Sequence, residues 1–248
     1  MNINGAIKNT GAIVTIIALT GCAATHTAVN KRTLNVQTKM SETIFLTPTS
    51  PEKKTIFVQI KNTSDKQNLE LNPKVTEAMF SKGYTVVADP DKANFLLQAN
   101  ILQVGNVDLR EANEALNQGY GSAINGAVVG GLVGSMSGSG GFDSIATGGL
   151  IGAGVATIGN ALIKDVTFSI ITDVQISEKA NGVAVTQNTN STLKQGTSGN
   201  VIVKSTETTN WKKYQTRILS TANKANLKFN EAEPELIAGL LRSISGLM

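Results

Sequence analysis

Apolar residues recur along this chain with two periods, and each predicts a different element. Alternation with period two is cleanest over Asp165–Ser177. Val166, Phe168, Ile170, Val174 and Ile176 take one face, with Thr172 between them. Thr167, Ser169, Asp173, Gln175 and Ser177 take the other, with Ile171 as the exception, so a strand with one buried side is expected. Thr55–Ile60, Tyr84–Ala88 and Phe95–Val104 predict further strands, and Leu34–Leu46 extended chain broken by Pro48 and Pro51. Asn181-Gly182 reads as a turn leading into Val183–Thr186. Val201–Thr209 and Tyr214–Thr221 alternate again and are expected to pair, with Leu193–Asn200 as a loop. Helical spacing appears twice. Asn72-Pro73 reads as N-cap and first helical residue, Val75, Ala78 and Met79 share a face, and Gly83 sits at the C-terminal cap. Near the end, Asn230 opens a helix with Glu233 as its capping-box partner. Its stripe, Leu236, Ile237, Leu240, Leu241, Ile244 and Leu247, packs either on the chain's own sheet or on a neighbouring subunit.

One stretch fits neither strand nor ordinary amphipathic helix. Gly119–Ile163 holds fourteen of the twenty-four glycines, and its only charge is Asp143. Two apolar arms, Ser122–Met136 and Ile145–Ile163, flank a Ser/Gly tip, Ser137–Ser144. Each glycine inside a helix loses about 1 kcal/mol against alanine, so the composition is costly in a soluble core. In lipid, small faces let helix backbones approach closely. Ser122, Gly126, Gly130 and Gly134 recur every four residues, and Gly148, Gly152, Ala156 and Asn160 repeat that spacing. The pattern predicts a helical hairpin packed against other helices in a membrane. At 1.5 Å per residue the arms reach roughly 22 and 28 Å, close to the apolar band of about 25 Å in a thin outer membrane. A loop-like glycine-rich insertion, or a hairpin buried in a soluble oligomer, satisfies the same letters.

The N-terminus predicts export. Lys8 supplies a positive start, Gly11–Leu19 a short apolar run, and Leu19-Thr20-Gly21-Cys22 a lipobox. Small residues before the cysteine suit the signal peptidase, and the thiol accepts diacylglycerol. The chain's one cysteine falls on that site, so no internal disulfide is possible. A chance cysteine behind an ordinary signal peptide is the alternative. Ala23, rather than an aspartate, follows Cys22, so transfer to the outer membrane is expected, with several acyl chains anchoring the mature N-terminus. Ala23–Val29 reads as a tether. It contains the only histidine, His26.

Charge and residue chemistry narrow the function classes. Formal net charge is +4, too mild and scattered for a nucleic-acid partner. With Cys22 acylated and His26 in a tether, no Ser–His or Cys–His nucleophile pair and no usual zinc set remains. No phosphate loop occurs. Gly152-Ala153-Gly154 starts like a dinucleotide fingerprint, but Thr157 stands where the third glycine belongs. Asp89/Asp91, Glu111/Glu114 and Glu231/Glu233 lie in turns or helix starts. Trp211, between polar strands, reads as an interface residue or a core one. The expectation is a non-enzyme with no metal and no cofactor beyond the lipid on Cys22.

Two family likenesses follow from these residues. Phe57–Val104, a strand–helix–strand–strand unit, is similar in plan to the periplasmic domains of the curli-secretion lipoproteins. More specifically, the lipobox, Gln37–Ile44, Phe57–Lys66, Asp108–Glu111, Ile171–Ile176, Leu193–Gly199 and Tyr214–Phe229 resemble the TraT family, in order and across essentially all of the mature chain. The arms and tip match in character more than in letters. The resemblance implies a multimeric, surface-exposed outer-membrane lipoprotein of conjugative plasmids. It implies blocking of stable mating contacts, which is surface exclusion, and resistance to complement killing.

The expected fold is α+β, a lipid-anchored α/β domain with an inserted glycine-rich, membrane-associated helical hairpin. Its segments are 1–21 signal peptide, 22–33 tether, 34–114 first part of the domain, 115–163 hairpin, and 164–248 β-rich second part with the C-terminal helix. Gly126, Gly130, Gly134, Gly148 and Gly152 are expected to pack copies of the chain together, as a ring. The tip, or the approach Leu116, Asn117, Gln118, Gly119 and Tyr120, would face the donor cell's pilus or mating-pair proteins. An oligomeric export pore, or a periplasmic adaptor of a cell-wall enzyme, remains as an alternative.

Overall fold

The computed structural model describes residues 31–122, 124, 155–158, 161–180, 185–194 and 200–248. The expectations for the signal peptide, Cys22, the five packing glycines, the Ser/Gly tip and the Asn181-Gly182 turn lie outside the described residues.

A mixed sheet carries the fold, in the order β1-β9-β6-β4-β2-β3. Its strands are β1 (Asn35–Met40), β2 (Thr55–Asn62), β3 (Thr85–Val86), β4 (Phe95–Asn106), β6 (Ala161–Lys179) and β9 (Trp211–Ala225). β2 runs parallel to β3 and β4, and the remaining pairings are antiparallel. Three helices pack on it: α1 (Asn72–Ser81), α2 (Leu109–Asn117) and α3 (Phe229–Gly246).

The expected alternation sets which face is buried. Ile170, Val174 and Ile176 of β6 join Ile56, Leu97, Ile101 and Ile218 in the main core, under α1 and α3. The C-terminal stripe closes on this sheet rather than awaiting another subunit. Leu236, Ile237, Leu240, Ile244 and Leu247 are buried there and Leu241 packs against them. Burying each such side chain contributes about 1.5–3 kcal/mol. At Gly239 α3 lies close against the strands. A Cβ there would stand 2.5 Å from Thr38 Oγ1 and 2.9 Å from Ser220 Oγ.

Ile171, the exception in the alternation, belongs to a second core on the opposite face. Val107, Ala112, Ala115, Leu116 and Leu219 surround it, under α2. A bulge in β4 serves both cores. The register passes from Ile101↔Thr172 to Gln103↔Ile171, leaving Leu102 extra. Val104 thereby returns to the main core, while Leu102 packs against the second.

Both helix starts differ from expectation. Asn72 is already helical and Leu71 flanks it without a side-chain cap. Leu71 is itself buried, so packing rather than an Asn cap fixes the entry. Asn230 likewise lies within α3, which begins at Phe229 after Lys228 with no capping side chain. Buried Leu227 and the Phe229 ring, edge-on to Phe168 at 5.4 Å, hold that start. The C-terminal cap of α1 is as expected. Gly83 takes φ +81°, its N–H reaches Phe80 O, and Tyr84 N–H reaches Met79 O, a Schellman closure.

Two pairings correct the sequence reading. Val201–Thr209 does not pair with Tyr214–Thr221. β8 (Asn200–Thr209) pairs with β7 (Val185–Lys194), and β9 with β6 and β1. Only Asn210, at a bend, separates β8 from β9, too little chain to reverse and pair the two. The second correction touches the proposed helical arm Ile145–Ile163. Its last part is extended: β5 (Val155–Ile158) pairs with Ala161–Lys164. β-branched Val155, Thr157, Ile158 and Ile163 favour strand, and Gly159-Asn160 is a two-residue hairpin sequence. Among the described residues no helix is long and apolar enough to cross a membrane.

Candidate functional site

The chain enters its glycine-rich stretch from α2, over the second face of the sheet. Asp108 caps α2 by accepting the Arg110 N–H at 2.8 Å. Ala112, Ala115 and Leu116 press onto Ile171 and Leu219, which fixes the helix against β6 and β9. After Asn117 the backbone turns left-handed twice, at Gly119 (φ +75°) and Gly121 (φ +74°).

A buried ion pair holds that turn. Asp173 of β6 and Arg217 of β9 are register partners, and their side chains are 8% and 0% exposed. Arg217 Nε donates to Asp173 Oδ1 at 2.6 Å and Nη2 to Oδ2 at 3.0 Å. Nη1 donates to the Ala115 carbonyl at 2.9 Å and Nη2 to the Ser122 carbonyl at 2.8 Å. Asp173 Oδ2 also accepts the Gly121 N–H at 2.8 Å. The pair therefore reaches both sides of the turn. A guanidinium suits this place because α2 ends there with carbonyls its own helix cannot satisfy. Burying two charges costs several kcal/mol each, which only such complete hydrogen bonding offsets.

Beside the pair runs a row of four carboxamides, one per strand. Gln98 Nε2 donates to Gln59 Oε1 at 2.9 Å, Gln175 Nε2 to Gln98 Oε1 at 3.1 Å, and Gln215 Nε2 to Gln175 Oε1 at 2.8 Å. Tyr120 follows next, beside Gln215. Burial first, and the Asp173 charge second, raise the Tyr120 pKa above its ordinary value, with the neighbouring Gln215 amide opposing them.

The approach to the stretch is thus partly open. Asn117 and Gln118 are exposed, Tyr120 keeps 37% of its surface open and Gly119 is half-exposed, whereas Leu116 is buried in the second core and presents no surface. Asp173, Arg217 and the four glutamines were not singled out by sequence reasoning. The available signal was opposite charges at mid-strand in Ile171–Ile176 and Tyr214–Phe229.

The far side of the stretch returns at one end of the sheet. Asn226, at φ +53°, donates its N–H to Lys164 O at 2.7 Å and accepts the Lys164 N–H at Oδ1 at 2.9 Å. Lys31, the first described residue, arrives at the same end. Its carbonyl accepts the Ala225 N–H at 2.8 Å, and its ammonium lies 3.7 Å from Asp165. The opposite end holds Trp211, half-buried, with Lys179 Nζ 5.7 Å from its ring centroid. Among the described residues no group of three or more His, Cys, Asp or Glu is placed to hold a metal. The arrangement can hold and orient a segment, and it offers no nucleophile paired with a base.

Residues 33–248 match the family described as Enterobacterial TraT complement resistance protein. The chain belongs to the TraT family. It is 44% identical over 240 residues to a TraT complement resistance protein of Escherichia coli, covering 96% of each chain. It is 46% identical over 235 residues to one of Escherichia coli strain K12, covering 94% of this chain and 93% of that one. A TraT complement resistance protein of Wigglesworthia glossinidia brevipalpis is 30% identical over 235 residues, covering 92% and 90%. These TraT relatives carry the name of a resistance protein, not of an enzyme.

Proposed function

We propose that this protein is a lipid-anchored outer-membrane protein, that it confers complement resistance and surface exclusion, and that it works as a homo-oligomer. The names of its TraT relatives support the first activity, and the motifs shared with that family support the second. The observation that carries the anchoring is the common end of the sheet reached by Lys31 and by β5/β6. Cys22 precedes Lys31 by nine residues, a span of at most about 32 Å. An acylated Cys22 and the glycine-rich stretch then meet the same bilayer. The small-residue spacing of Gly126, Gly130, Gly134, Gly148 and Gly152 favours contact between copies there.

In this reading the Asp173–Arg217 pair acts as the clamp of the assembly's exposed part. It sets the direction in which the chain leaves Ser122, and it fixes Tyr120 beside the exposed Asn117 and Gln118. A donor cell's mating machinery would meet that surface, so a rigid turn keeps it in one shape.

The test is to express the full chain and its Cys22→Ala variant in plasmid-free recipients. Mating frequency and serum survival are then measured. The wild-type chain lowers mating frequency and raises survival, and the variant does neither while remaining folded. Full protection by the unacylated variant would refute the anchored mechanism. Particle mass in detergent checks the oligomer separately, since a monomer removes that part of the proposal.

A further inference from the structure

Among the described residues the sheet ends in two edges that no strand fully covers, and they fit one another. On β1, Ser41 N–H bonds Arg217 O, so the odd-numbered residues face β9. The N–H and C=O groups of Val36, Thr38 and Met40 therefore point away from the sheet. Among the described residues no strand pairs with that side. On β2, Asn94 N–H bonds Thr55 O and Thr63 N–H bonds Ile101 O, so the odd-numbered residues face β4. The even-numbered ones face outward, and β3 covers only Thr55 and Ile56. Among the described residues no strand pairs with the outward groups of Val58, Ile60 and Asn62.

We infer that copies of this chain join edge to edge, β1 of one against β2 of the next, antiparallel, with Thr38 opposite Ile60. The inference rests on the homo-oligomer reading and says how its subunits touch. Three outward positions on each strand match in number. Parity matches too. Val36, Val58 and Ile60 all pack toward the main core and Thr38 stands under α3, so pairing 38 with 60 continues the helix layer across the join. β1 and β2 run in opposite directions within the sheet, so stacking copies in one orientation brings them together antiparallel. A contact between two different edges is heterologous, and it closes into a ring when the rotation allows.

Neighbouring registers are disfavoured. Sliding two residues one way sets Lys39 opposite Lys61, like charges on one face. Sliding two the other way sets Met40 opposite Ile56, whose carbonyl is already taken by the Val87 N–H at 2.9 Å. The remaining register places exposed Met40 (39%) beside Val58, Lys39 beside Gln59 and Gln37 beside Lys61. It also satisfies an open strand edge, a feature that natural proteins otherwise shield.

Cysteine cross-linking of the full acylated chain in detergent tests the register. Lys39 and Gln59 form a non-hydrogen-bonded pair, the closer kind, suited to a disulfide. Mild oxidation of a Lys39→Cys/Gln59→Cys double variant gives a ladder of covalent multimers on denaturing gels. Lys39→Cys/Lys61→Cys gives at least tenfold less. Thr38→Pro removes an outward N–H and, with its hydroxyl, the 3.3 Å contact to Ser220 Oγ, while Thr38→Ala removes the hydroxyl alone. The proline variant reduces particle mass with far-ultraviolet circular dichroism unchanged, and the alanine variant keeps the wild-type mass. Should the wild-type particle be multimeric and Lys39→Cys/Gln59→Cys give no ladder, the edge contact is overturned and the oligomer reading stands. Should the wild-type particle be a monomer, the oligomer reading falls and takes this contact with it.

Discussion

Arg217 donates to the Ala115 and Ser122 carbonyls while paired with Asp173, so one buried guanidinium ties the end of α2 to the mouth of the glycine-rich stretch. Removing either charge leaves the other buried and uncompensated. Arg217→Met or Asp173→Asn should each cost about 3–5 kcal/mol of unfolding free energy. The double variant should cost less than the sum of the two. A double-mutant cycle by urea denaturation reads the coupling, and strictly additive losses would contradict the clamp.

Gly121 offers a milder probe of the same turn. Its φ is +74°, and a Cβ there would meet nothing within 4 Å, so alanine brings backbone strain and no clash. Gly121→Ala should cost about 1–2 kcal/mol, with Gly121→Asn losing less because Asn tolerates that region. Chemical denaturation of the two variants checks the order.

At Gly239 the opposite holds: the backbone is ordinary and the space is absent. Gly239→Ala drives a methyl against Thr38 Oγ1 and Ser220 Oγ. A loss of about 1–3 kcal/mol is expected from overpacking. Adding Thr38→Ala removes the nearer atom and should recover part of the loss, read as a rise in thermal midpoint over Gly239→Ala.

The chain's three tyrosines, Tyr84, Tyr120 and Tyr214, all have raised pKa values. Burial is the leading cause in each, followed by Glu178 for Tyr84 and Tyr214 and by Asp173 for Tyr120. A raised folded pKa means the native state holds the phenolic proton more tightly than the unfolded chain. Its stabilising contribution is complete below the unfolded value of about 10 and fades as pH rises through the folded value. Phenolate absorbance at 295 nm should titrate above pH 10. Asp173→Asn should move the Tyr120 component downward.

Much of the sheet was legible because its strands obey one rule each. Asp165–Ser177 alternates since one face is buried, and its single exception, Ile171, pointed at a second core that only α2 reveals. Helix starts were less legible. The letters at Asn72 and Asn230 offered caps, but Leu71, Leu227 and Phe229 fix those entries by burial. The β8 pairing was less legible because Trp211–Lys213 reads as a gap between strands, whereas it opens β9 and leaves only Asn210 after β8. The clamp was hidden by separation along the chain. Asp173 and Arg217 are forty-four residues apart, and each alone reads as a polar residue on a solvent face.

β6 runs nineteen residues from Ala161 to Lys179, and fifteen of them pair with β9. Tension applied at Val155–Ala161 acts along the strand axis, so the β6/β9 rungs bear the load together rather than in turn. The β7/β8 ribbon, pulled apart at one end, would open rung by rung. Mechanical resistance is thus unequal across the molecule, and its stiff grip lies where the glycine-rich stretch rejoins the sheet.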